Sequence, residues 1–290
     1  MFIRIGFDIE LAVAAPTALV YLLRVHPTRR DDLEASENFR IHPELPAQEY
    51  VDVYGNHCGR IAIPAGVASV RFTNDAVVRD SGLRDATAPS ATQHPPADLP
   101  HATLQFLLPS RYCEVDGELL AFAWNQFGAT APGWPRVQAI CDFVHHHIRF
   151  DYMAARATRS AAEAFRERVG VCRDFTHLAL TLCRCMNIPA RYVTGYLGDI
   201  GVPVSPNPMD FSAWFEVYLG DGWHTFDARN NQPRIGRIVI ARGRDAADVP
   251  ITMLFGQSTL LRFTVTTDEV QSPLTTQRYP DRLGASASAT

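Results

Sequence analysis

The sequence predicts an α+β fold preceded by a small all-β domain, and the order of its hydrophobic periods carries that prediction. Residues 1–72 hold short alternating runs, residues 117–185 hold helical spacing, and residues 190–270 return to alternation. Helices and antiparallel strands are thus segregated along the core rather than interleaved. The intervening stretch "RDSGLRDATAPSATQHPPADLPH", residues 79–101, is rich in Pro, Ala and Ser and marks a linker or extended strap. These shifts divide the chain into a β-domain (1–90), a linker (91–103), a core (104–275) and a mobile tail (276–290) that lacks any apolar pattern.

In the first block, "FIRIGFDIEL" alternates, "ALVYLLRVHP" is a second run, and "EYVDVYGNHCGRIAIPAG" carries a hairpin signal at Gly55-Asn56. The core opens with a helix in which Asp116 is a candidate N-cap and Leu119, Leu120, Ala123 and Phe127 follow at helical spacing. "GWPRVQAICDFVHHHIRF" repeats the pattern with Pro135 in the first turn. "SAAEAFRERVG" opens on a capping box, Ser160 with Glu163, and closes at Gly170. "CRDFTHLALTLCRCMNIP" sets Phe175, Leu178, Ala179, Leu182 and Cys183 on one apolar face and stops at Pro189. Strands follow in "ARYVTGYLGD", "FSAWFEVYLGDGWHTFDA", "GRIVIARG" and "LLRFTVTTDEV".

At 290 residues and 47% hydrophobic content the chain can bury a sizeable core. A net charge of −4 with scattered basic residues gives no footprint for nucleic acid or an anionic membrane. The run "LAVAAPTALVYLL" is preceded by Asp8 and Glu10 and broken by Pro16, so it does not read as a signal peptide. The six cysteines are too sparse for a disulfide framework, and reduced thiols in a cytoplasm are expected.

Cys172 follows Gly170-Val171 and begins a helix, where backbone N–H groups and the helix dipole favour a thiolate. A buried structural thiol has the same local pattern. Histidines 145, 146 and 147 diverge by about 100° per residue on a helix, and Cys183 and Cys185 diverge likewise, so neither group converges on a metal. No cofactor is implied.

Two motifs in order, "ERVGVCRDFTHLALTLCRCMNIPARYVTGY" and "MDFSAWFEVYLGDGWHTFDARN", resemble the core of the transglutaminase-like superfamily, in particular its bacterial cysteine-protease-like branch, over roughly Leu104 to Val270. The first block resembles the β-domain that precedes this core in bacterial members. The resemblance implies a papain-like core with a Cys-His-Asp triad: the cysteine falls on Cys172, the aspartate on Asp227, and the histidine position is occupied by Ser212. A serine hydroxyl cannot accept a proton near neutral pH as imidazole does.

Other histidines are tested by geometry. If Gly220 and Asp221 form a two-residue turn, Val217 pairs with His224, and Ser212, Trp214, Glu216 and Asp227 share the opposite face. His177, five residues past Cys172 on the same helix, lies well round from it and is expected to make a structural hydrogen bond. Asp174 is expected to tie the helix N-terminus or to stand there as a simple charge. The Pro-rich loop 198–210 runs into Ser212, so Asp210, Trp214 and Glu216 are candidate substrate-binding residues. The expected function is a thiol enzyme acting on an amide or peptide-type carbonyl, by hydrolysis or acyl transfer, with a peptide or small amide as substrate. The alternative is an inactive module that uses the cleft to hold a peptide or partner.

Overall fold

The structure, a computed structural model, describes residues 1–271. In chain order it contains strands β1 (Phe2–Val13), β2 (Thr17–Tyr21), β3 (Arg40–His42), β4 (Ala47–Val51), β5 (His57–Ile63) and β6 (Ser69–Arg79). Helices α1 (His101–Leu104), α2 (Glu118–Phe127) and α3 (Trp134–His147) follow, then β7 (Arg149–Phe150), α4 (Ala161–Glu167), β8 (Val169–Gly170) and α5 (Cys172–Cys185). The chain continues through β9 (Ala190–Tyr196), β10 (Ser212–Leu219), β11 (Gly222–Phe226), β12 (Ile238–Gly243), β13 (Thr252–Leu254) and β14 (Ser258–Val270). Helices packed on an antiparallel sheet, preceded by a sheet-rich N-terminal region, make the fold α+β.

The N-terminal region is two antiparallel four-stranded sheets, ordered β14-β1-β6-β3 and β13-β2-β5-β4. Alternation along β1 turns Ile3, Ile5, Phe7, Ile9 and Leu11 inward, each burial contributing about 1.5–3 kcal/mol. Its outer face carries Arg4, paired with Asp75, and Asp8, paired with Arg71. A one-residue slip would drive these charges into the core, which fixes the register. The sheets meet through Tyr21 of one and Phe72 of the other, 5.3 Å apart between ring centroids, with Phe39 stacked on Tyr21.

Where the last strands pair departs from the division read along the sequence. β14 pairs with β1 from Phe2↔Val270 to Val13↔Ser258, and β13 pairs with β2. Residues 252–270, read as part of the core, thus complete the N-terminal sheets; alternation specifies a strand but not its partner. The expected linker is an ordered strap. Ala91 O accepts from Trp134 N–H, Thr92 O from Gly220 N–H, and Gln93 donates to Met186 O. The tail assigned to 276–290 lies outside the described residues.

The core sheet runs β11-β10-β9-β12, all antiparallel. α5 is its centrepiece and is buried on all sides from Asp174 to Cys185, not along a single apolar face. Its buried polar residues each find a hydrogen-bond partner inside, although Asp174 Oδ1 and His177 Nδ1 are left without one among the described residues. Thr181 Oγ1 donates to His177 O, Ala246 N–H donates to His177 Nε2 at 3.1 Å, and the Arg184 guanidinium donates to the carbonyls of Ala190, Leu108 and Arg244. Burial keeps His177 neutral, well below the usual imidazole range, stacked on Tyr112.

Two helix ends differ from expectation. Gly117, not Asp116, caps α2. The Ser160–Glu163 capping box opens α4 as expected, but Arg168, in the left-handed region at φ 56°, closes it. Gly170 is spent instead on the short parallel pair β7–β8.

Candidate active site

The site is built on the N-terminal turn of α5. Asp174, wholly buried, accepts the Val171 N–H at 2.9 Å and the Arg159 guanidinium at 3.0 Å, so it ties down the turn that carries Cys172. A Cβ on Gly170 would sit 2.5 Å from Asp174 Oδ2, an atom those bonds pin. Gly170→Ala is therefore expected to destabilise the fold by about 1–3 kcal/mol, measured as a lowered thermal midpoint.

Cys172 is half-buried and opens on a cleft of about 230 Å³ shared with Ser212, Asp210 and Arg229. The Ala213 N–H of β10 donates to the sulfur. Burial, reinforced by the Asp210 carboxylate, outweighs that bond and the Arg229 charge and pushes the thiol up to about 11. At neutral pH the thiol holds its proton.

The loop between β9 and β10 walls the cleft. Asp199 accepts the Ser205 N–H at 2.7 Å within it, and its last residues, Asp210 and Phe211, lead into Ser212. Phe211 is buried against Phe7 of β1, Tyr196 of β9 and Phe263 of β14, at centroid distances of 6.0, 5.2 and 5.9 Å. Asp210 is half-buried and accepts the Phe211 N–H; burial raises its carboxyl to about 6.

Asp227 lies just past β11, behind the cleft lining. Its Oδ1 accepts the Asn230 N–H at 2.9 Å, and its Oδ2 accepts Asn230 Nδ2 at 2.7 Å and Arg237 Nη2 at 2.9 Å. Arg237 is buried, bridges to Asp85 of the strap at 2.8 Å, and holds the Asp227 carboxyl below the usual carboxylate range against the opposing effect of burial. Cys172, Ser212 and Asp210 are thus brought to one cleft, while Asp227 is committed to Asn230 and Arg237.

Trp214 and Glu216 do not line the cleft, contrary to expectation. Trp214 is 1% exposed, packed with Val193 and Val239 under the Arg237 guanidinium. Glu216 is ion-paired with Arg191 and Arg242, which lower its pKa against the opposing effect of burial. The parity was right but the surroundings were not visible: N-terminal residues cover that face, with His26 N–H bonded to Val239 O and Asn56 clasping Arg242 of β12. Only its Ser212 end stays open.

The hairpin register is the expected one, with Val217 opposite His224. His224 lies edge-on to Trp134, and its Nε2 meets Leu219 O at 3.2 Å. Among the described residues no histidine lines the cleft. His145 donates to the carbonyls of Ala228 and Arg229, His146 to Asp142 O and His147 to Phe165 O, so the three rings diverge. Sequence reasoning missed Arg237, Asn230 and Asp85; the motif "DARN" carried Asn230, but nothing local points from Asp227 to Arg237.

A family model for the transglutaminase-like superfamily matches residues 122–228, a span that encloses Cys172, Ser212 and Asp227. An uncharacterized protein of Mycobacterium tuberculosis is 30% identical over 220 residues, 69% of this chain and 68% of its own length. One of Mycobacterium leprae is 25% identical over 217 residues, 71% and 75% of the two chains. The crystal structure of a "putative cysteine protease" from Cytophaga hutchinsonii superposes with a TM-score of 0.80 at 29% identity, covering 94% of this chain and 91% of that one. That coverage takes in the N-terminal sheets as well as the core. With the matched span enclosing the thiol and both strands beside it, and a relative sharing two thirds of its length, the chain belongs to the transglutaminase-like superfamily.

Proposed function

We propose that the protein is a transglutaminase-like thiol enzyme that attacks an amide or peptide-type carbonyl through Cys172, by hydrolysis or acyl transfer. In this reading Ser212 occupies the position of the superfamily's histidine, and Asp227 that of its aspartate. The observation that carries the proposal is the Cys172 sulfur itself, held at the N-terminal end of α5 and open to a cleft sized for a side chain. Backbone N–H groups at that helix end favour the oxyanion that forms on a carbonyl oxygen. The six cysteines are all unpaired, which supports a reducing, cytoplasmic setting. No helix among the described residues is long and apolar enough to cross a membrane.

A second reading, a binding module that has kept the cleft, is favoured by the protonated thiol and by the commitment of Asp227 to Arg237. Treatment with 4-nitrophenyl acetate separates the two. The enzyme reading expects a burst of 4-nitrophenol and one acetyl group on Cys172, absent in Cys172→Ala. The sequence contains no lysine, so the acetyl group has no lysine ε-amine of this chain to migrate to and is readable by mass. A folded protein with no burst is the binding module. Alkylation by iodoacetamide is expected to climb past the free-thiol midpoint of about 8.5 and continue toward pH 11. A midpoint at or below 8.5 would show that the thiol is not held in its neutral form.

A further inference from the structure

Taking Cys172 as a nucleophile, as proposed above, leaves open which group removes its proton. Three carboxylates lie in or behind the cleft lining, and their partners distinguish them. Asp227 is saturated by Asn230 and Arg237. Asp199 accepts the Ser205 N–H and lies 3.7 Å from Arg234. Asp210 accepts only the adjacent Phe211 N–H, and among the described residues no arginine forms an ion pair with it. Asp210, Cys172 and Tyr152 all line the same cleft, and the Asp210 charge raises both the thiol and the phenol.

From this juxtaposition we infer that Asp210 is the general base of the site, taking over from the loop side the proton transfer that an imidazole at position 212 would perform. In the acylation step the S–H proton passes to the Asp210 carboxylate as sulfur bonds to the carbonyl carbon. The resulting carboxylic acid then protonates the departing amine as the C–N bond breaks. In deacylation Asp210 accepts a proton from the attacking water or amine and returns it to the sulfur as the thioester C–S bond breaks. Each cycle leaves both groups as they began.

The clamp on Phe211 fixes the backbone on which Asp210 sits, which is what a base needs in order to meet its proton donor. Sharing the cleft with Asp210 are Cys172 from α5, Tyr152 from the turn after β7, Asp199 from the same loop, and Arg229 and Arg234 from the segment after β11. Burial without a cation partner raises the carboxyl to about 6, closer to neutrality than an exposed aspartate and better matched to accepting a proton.

Two readouts of opposite sign test the role in Asp210→Asn. Removing the negative charge lowers the thiol pKa, so iodoacetamide alkylation of Cys172 at pH 7.5 is expected to rise severalfold. Steady-state turnover of 4-nitrophenyl acetate, limited by deacylation, is expected to fall by about tenfold or more. Turnover that stays level or rises along with alkylation would make Asp210 an electrostatic neighbour and overturn the inference. The wild-type protein supplies a measurement that needs no variant. Its deacylation rate is expected to rise through a limb near pH 6 and then level; a rate that rises only through the thiol range overturns the assignment. Absence of any acyl-enzyme in the wild type would sink the thiol-enzyme reading itself and the role of Asp210 with it, whereas a normal burst with unchanged Asp210→Asn deacylation sinks the Asp210 role alone.

Discussion

Replacing Ser212 with histidine is expected to raise turnover of 4-nitrophenyl acetate by about 10²–10⁴-fold, the usual contribution of a positioned general base. Ser212 is the first residue of β10, pairs with Gly195 of β9, and is on the cleft wall with Cys172. An imidazole near the sulfur also stabilises the thiolate as an ion pair, so the alkylation profile should move down from the high range set by burial and Asp210 toward neutrality. A folded Ser212→His protein with an unchanged alkylation profile and unchanged turnover would show that the cleft has diverged at more than this one position.

The largest effect on stability is expected at Arg237. Its guanidinium, 6% exposed, holds Asp227 and Asp85 at once, and Arg237→Met leaves two carboxylates without their cation. Breaking a buried pair from one side costs about 3–5 kcal/mol. For a chain of this length that lowers the thermal midpoint by roughly 10 °C. The sign with pH follows from the direction of the Asp227 shift. Its folded-state carboxyl is held below the ordinary value, so the folded protein binds fewer protons than the unfolded one. The stabilisation is complete above the unfolded carboxylate range of about 4 and is lost as pH falls through the folded value. In the variant, Asp227 can relieve its isolation by taking a proton, so the deficit relative to wild type should be widest at neutral pH and narrow in acid. Urea midpoints at pH 7 and pH 4 measure this; an equal deficit at both would place the effect in lost packing over Trp214 instead.

How much of this was legible in the sequence depends on how far each feature reaches along the chain. The capping box at Ser160, the start of a helix at Cys172 and the register that pairs Val217 with His224 are set by residues within a few positions of one another, and local chemistry reveals them. The face of β10 was equally legible, but its contents were not. What covers Trp214 and Glu216 comes from residues such as His26 and Asn56, far away in sequence. The same distance hid Asp85, which is 152 positions from the arginine it holds and sits in a stretch that reads as linker. α5 misled in a different way. Asp174 and His177 make the local tie and the hydrogen bond expected of them, but the helix is buried all round: Thr181 bonds to His177 O of the same helix and Arg184 to carbonyls of other segments, and hydrophobic periodicity cannot register a polar group that finds its partner inside.

Phe211 has one further consequence, for the order in which the molecule becomes competent during synthesis. Its ring separates the two cleft residues Asp210 and Ser212 and is held on one side by β14, some fifty residues downstream. As the chain leaves the ribosome, α5, β9, β10 and β11 are all available before β14 exists. A nascent chain paused ahead of Ser258 therefore carries its nucleophile while the residues opposite it still lack the Phe263 contact that seats them. Only when β14 closes against β1 is the cleft wall set, so the thiol meets its neighbours in working geometry only after Phe263 has been synthesised.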